Sequence, residues 1–112
     1  MTAAPTPAAI PDAMDVAKVA PNVYKLLADS LGIRLFEIAF EPGETAALHM
    51  HPDAAAYVVE GGTLEVTGAD GKKNVFDLKP GMGLIFGPET HSATNTGKTT
   101  VKAAFVEVRR PR

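Results

Sequence analysis

The chain has 112 residues, 46% hydrophobic and 21% charged, a length and balance that predict one folded domain and exclude a disordered chain. Its 11 Lys plus Arg against 13 Asp plus Glu give a formal charge of -2, which excludes the cationic field of a general nucleic-acid binder, so no nucleic-acid partner is expected. Cysteine is absent, which excludes a disulfide framework and thiolate chemistry; with no signal-like run and no stretch long enough to cross a bilayer, a cytoplasmic protein without a membrane partner is expected.

Residues 1–20 read as an N-terminal arm ahead of a domain over residues 21–112. Prolines at 5, 7 and 11 among small residues predict mobility over 1–11. Residues 12–20 have room for one or two helical turns, with Asp12 as N-cap, Val16 and Val19 on one face and Pro21 as the stop. From Pro21 onward, runs rich in β-branched and aromatic residues alternate with turn signals. The runs are 23–28, 33–40, 45–49, 56–59, 64–67, 75–78, 84–86, 92–95 and 101–108. Segments such as Pro42-Gly43, Glu60-Gly61-Gly62 and Lys79-Pro80-Gly81 separate them, proline presetting φ and glycine accepting positive φ. Nine short strands without a sustained helical period predict an all-β double-sheet barrel, a jelly roll. The arm and the apolar run 101–108 offer material for a two-fold contact, so a homodimer is expected. The tail Arg109-Arg110-Pro111-Arg112 reads as a solvated terminus.

His49 and His51 are separated by one residue in an extended segment, which puts both imidazoles on one strand face. Two neighbouring imidazoles are suited to sharing a metal ion, although an isolated H-x-H pair also occurs on ordinary polar strand faces.

The surroundings of the pair resemble the first cupin motif, G-x5-H-x-H-x3/4-E-x6-G, with Gly43, His49, His51 and Gly62 in matching slots. Gly81 through Asn95 resembles the second motif, with His91 and Asn95 at H-x3-N spacing and an altered turn around Gly87-Pro88. The resemblance covers residues 33–108 and is closest to small bacterial single-domain cupins of the RmlC-like jelly-roll superfamily, some linked to β-alanine degradation. It implies a double-stranded β-helix in which His49, His51 and His91, the only histidines of the chain, bind one divalent metal ion. Cupins usually add a glutamate ligand. With Gly62 fixing the register that slot falls on Ala55, between Ala54 and Ala56, which leaves a site of three neutral imidazoles. Such a donor set suits iron, zinc, manganese or nickel and favours an anionic ligand.

These residues point to a metal-dependent enzyme acting on a small carboxylate-bearing metabolite, in its most specific form a three-histidine iron dioxygenase. The alternative is a non-catalytic module that binds or senses a metal or small ligand. Tyr57 is the candidate pocket hydroxyl, against an ordinary reading as a packed strand aromatic. Glu89 is either at the barrel mouth or solvated, Glu60 and Asn95 read as turn residues, and Phe36, Phe40, Ile85 and Phe86 supply apolar walls.

Overall fold

The structure is a computed structural model that describes residues 9–112, so residues 1–8 of the expected arm lie outside the described residues. Each of the nine runs is a strand: β1 (Tyr24–Ser30), β2 (Ile33–Phe40), β3 (Thr45–His51), β4 (Asp53–Glu60), β5 (Gly62–Gly68), β6 (Lys73–Leu78), β7 (Gly83–Phe86), β8 (Glu89–Asn95) and β9 (Val101–Val108). β2 and β9 have the boundaries the sequence predicts, because both alternate strictly between inward and outward residues, the inward ones apolar except Arg34 and Glu107. β4 begins at Asp53 rather than Ala56. Alanine has little strand preference of its own, and pairing to β9 on one side and β7 on the other recruits the segment.

The strands form two antiparallel sheets, β1-β2-β9-β4-β7 and β3-β8-β5-β6, stacked face to face as a double-stranded β-helix. Phe36, Phe40, Val58, Val101 and Phe105 fill the space between them and are almost completely buried. Among the described residues no helix is long and apolar enough to cross a membrane.

Residues 12–20, grouped by sequence with the arm, pack onto the barrel. Asp12–Met14 is a 3-10 turn and Val16–Val19 a short helix, α1, whose N-cap is Asp15 rather than Asp12. Asp15 accepts from the Ala17 N–H at 3.0 Å and also pairs with Arg34, and this double anchorage selects it as the cap. Val16 and Ala20 are fully buried, and a bridge from Asp15 to Met50 lays the segment against β3. The C-terminal tail is likewise tied down in part: Arg109 reaches Glu107 at 3.0 Å, and Arg112 holds Asp53 at 2.8 Å.

A bulge in β3 positions the site. Between the pairs Ala46↔Ala93 and His49↔His91, β3 contains one residue more than β8. Ala47 and Leu48 therefore both face outward, and alternation resumes with His49 and His51 pointing into the barrel. Unbroken alternation from Ala46 would have turned Leu48 and Met50 inward and both histidines out.

Candidate metal centre

His49 and His51 come from β3 and His91 from the adjacent β8, where His91 lies directly opposite His49. The three residues offer ring nitrogens that all lie within 4.8 Å of one another, and their ring centroids are 4.6, 4.8 and 5.2 Å apart. The sequence-predicted ligands are thus brought together, with His51 and His91 at the wall of a cavity of about 520 Å³ inside the barrel and His49 fully buried beside them.

The hydrogen bonds around the rings decide which nitrogen is free. His49 Nδ1 lies 2.6 Å from the Ala47 carbonyl, His51 Nδ1 2.9 Å from Glu107 Oε2, and His91 Nδ1 3.3 Å from Glu89 Oε2. The Ala47 carbonyl and the Glu107 carboxylate only accept, so Nδ1 carries the hydrogen in His49 and His51 and Nε2 keeps its lone pair, which in His51 faces the Tyr24 hydroxyl at 3.3 Å. The buried His49 Nε2 has no hydrogen-bond partner. An orphaned buried acceptor costs on the order of 1–3 kcal/mol, which a divalent cation at this point would recover, so the residues present fit such an ion.

Burial, followed by repulsion from His51, lowers the pKa of His49 from 6.5 to about 4. Burial and then the charges of His49 and His51 lower that of His91 to about 3. Both rings therefore stay neutral well below ordinary histidine pH. The unfolded chain takes up these protons near pH 6.5 while the folded metal-free protein refuses them, so its stability is full above pH 6.5 and is lost as pH falls toward 4. Urea midpoints of metal-free protein should accordingly be flat from pH 8 to 7 and drop steadily from 6.5 to 4. A flat profile throughout would contradict neutral, buried rings. Proton competition with a metal at His49 and His91 should also begin lower than free histidine predicts.

Behind His51 lies a buried ionic chain that sequence reasoning missed. Arg34 of β2 and Glu107 of β9 are direct cross-strand partners, joined by bonds of 3.0 and 3.1 Å, and Arg34 also meets Asp15 at 2.7 Å. Burial would raise the Glu107 carboxyl, but the hydrogen bond from His51 and the charges of Arg34 and Arg109 outweigh it and hold the group below its usual range. A signal for the pair was present: Arg34 shares its strand face with Phe36, Ile38 and Phe40, and Glu107 with Val101, Ala103 and Phe105. Opposite charges on the apolar register of two strands mark a buried pair.

Tyr24 is the second residue missed. Its hydroxyl stands 3.3 Å from His51 Nε2, and burial together with the charge of Glu107 pushes its pKa up, so it remains a donor. Tyr57, the sequence candidate, is 56% exposed on the outer face of β4 and does not line the cavity. The physical reason is parity: Ala54, Ala56 and Val58 point inward, so Ala55 and Tyr57 point out. The glutamate slot is corrected by the same argument from Ala55 to Ala56, which lines the cavity and which the four-residue form of the motif spacing reaches.

Phe40 and Phe86 line the cavity, Phe36 lies in the core beneath Tyr24, and Ile85 is outside at 89% exposure. Glu89 lines the mouth, Glu60 is exposed, and Asn95 holds its turn by donating to Phe40 O and Thr99 O while accepting from the Gly97 N–H.

Residues 36–107 match the family model described as cupin domain. Among solved structures, a cupin domain protein from Bordetella pertussis is similar at 19% identity and a TM-score of 0.70, covering 77% of this chain and 91% of that one. An RmlC-like cupin with a double-stranded β-helix fold from Methanocaldococcus jannaschii is 14% identical at a TM-score of 0.63, covering 80% and 81%. An uncharacterized conserved protein with a double-stranded beta-helix domain from Klebsiella pneumoniae is 21% identical at 0.62, covering 80% and 79%. No curated protein matches the chain in sequence.

Proposed function

The chain belongs to the cupin domain family, and from that premise we propose that it is a metal-dependent enzyme acting on a small carboxylate-bearing metabolite, of the kind handled by cupins of β-alanine degradation. The observation that carries the reading is the convergence of the His49, His51 and His91 ring nitrogens within 4.8 Å of one another beside the cavity, with Nδ1 of His49 and His51 held by acceptors and the buried His49 Nε2 without a partner. Such a donor set suits iron, zinc, manganese or nickel. A divalent ion there supplies Lewis acidity, and ferrous iron in addition the oxygen chemistry of a dioxygenase.

The chain's own residues orient and enclose. Phe40, Phe86 and Phe105 give the cavity apolar walls, and the Phe105 ring packs on His51 at 4.8 Å between centroids. Tyr24 keeps a proton on its hydroxyl against His51 Nε2, and an ion held by that nitrogen would leave the proton for an anionic group. All three histidines are committed as ligands and none is left as a general base.

A second reading, a binding or sensing module without turnover, is favoured by the inward alanines Ala54 and Ala56, which leave β4 without a carboxylate at the site. X-ray fluorescence on protein purified without chelator or affinity-tag metal, followed by turnover assays on small acids with and without oxygen, separates the two. Absence of any metal would sink both readings.

We further propose a homodimer through the outer face of the five-stranded sheet, where Leu35, Val106, Ala55 and Ile85 form one cross-strand apolar row. Sedimentation equilibrium should give a dimer at micromolar concentration and a monomer for Ile85→Lys. A monomeric native chain would remove this assembly.

A further inference from the structure

One row of residues crosses the four-stranded sheet at the level of the histidines. His49 of β3 is opposite His91 of β8, His91 is opposite Gly68 of β5, and the Gly68 N–H donates to the carbonyl of Lys72 at 2.9 Å. Opposed residues of antiparallel neighbours present their side chains to the same face. Lys72 lines the cavity as do Asn74, Phe76 and Leu78, the alternate residues of β6.

Each step along the row is one strand spacing of roughly 5 Å, so the Cα atoms of His91 and Lys72 are about 10 Å apart. Gly68 stands between them without a side chain, and Asp70 Oδ1 borders the space that a Cβ there would take, at 2.9 Å.

Lys72 is the cavity's one lysine or arginine, and its charge is not spent on the protein. Its neighbours Lys73 and Lys79 pair with Glu65 and Asp77, whereas among the described residues Lys72 makes no ion pair. The two acids of the lining face protein donors: Asp70 Oδ1 accepts from the Lys72 backbone N–H at 3.0 Å, and Glu89 Oε2 lies 3.3 Å from His91 Nδ1. Between the polar ends the wall is apolar, with Leu64, Val66 and Phe76.

We propose that the cavity takes a short dicarboxylate, one carboxylate at the three-histidine end and the other on the Lys72 ammonium, with its methylenes against the apolar wall of Leu64, Val66 and Phe76. This rests on the metal-centre reading above and adds to it the substrate class and a specificity residue. The ammonium needs no burial to act, since a charge-assisted hydrogen bond at a cavity mouth discriminates a second carboxylate from a methyl group by about tenfold.

The test uses the full chain loaded with zinc, and calorimetric titration of glutarate and butyrate into the native protein, Lys72→Met and Lys72→Arg. Native protein should prefer glutarate by about tenfold, Lys72→Met should lose that preference with butyrate binding unchanged, and Lys72→Arg should keep most of it. The zinc titration comes first and separates two failures. If zinc does not bind, the metal-centre reading falls and takes this inference with it. If zinc binds and Lys72→Met retains the native preference, or the native protein shows none, the dicarboxylate inference alone is overturned.

Discussion

Glu107→Leu should lose about 3–5 kcal/mol of stability and ten- to a hundredfold in metal affinity, the largest effects expected of any single change in this chain. The carboxylate is completely buried between Arg34, Arg109 and His51, so removing it leaves the buried Arg34 to Asp15 alone. It also takes away the acceptor that fixes the His51 tautomer with the lone pair on Nε2. Glu107→Gln keeps an oxygen for His51 but not the charge, and should fall between. Urea unfolding of metal-free protein measures the first effect and calorimetric metal titration the second. In Arg34→Met/Glu107→Leu, apolar neighbours replace the pair, so stability should partly return while metal affinity stays low. Recovery of both together would mean that Glu107 acts only through folding.

Ala56→Glu should raise metal affinity by about tenfold or more, and Ala55→Glu should not. Residue 56 is on the inner face of β4 and lines the cavity, whereas residue 55 is beside Val106 and Ile85 on the outer face. A carboxylate at 56 would add an anionic ligand to three neutral imidazoles, partly neutralise the ion and take a coordination position. A small carboxylate should therefore bind the metal-loaded variant more weakly. Without metal the same carboxylate has no built partner, so metal-free Ala56→Glu should unfold at lower urea than the native chain. Equal metal affinities for the two variants would mean that the inward face of β4 does not approach the histidines.

Much of this architecture was legible because it is written in alternation. β2 and β9 announce both faces and both ends, and the turn residues punctuate the rest. The three histidines were legible because no others compete for the role. What stayed hidden depends on contacts across strands. The bulge at Ala47 and Leu48 has no local residue signature, yet it decides which way β3 turns its histidines. The slot on β4 lies one residue beyond where Gly62 as a fixed marker puts it, because the inward positions of that unbroken stretch are Ala54, Ala56 and Val58. Tyr24 and His51 are 27 residues apart and Arg34 and Glu107 are 73 apart, separations at which a single sequence carries little trace of a meeting.

The short N-terminal helix is attached to the histidines from two directions. The bridge from Asp15 reaches Met50, the residue between His49 and His51, and the chain Asp15, Arg34, Glu107 ends on the His51 ring. Couplings of this kind are reciprocal: whatever steadies His51 steadies the attachment of the helix, and whatever detaches the helix loosens His51 by the same free energy. Lys18 on that helix is exposed at 57% of its side chain and is a cleavage point for trypsin. The rate at which trypsin nicks the folded protein there thus becomes a readout of ligand occupancy at the far end of the network, and trimming of this segment a means of weakening the site without touching it.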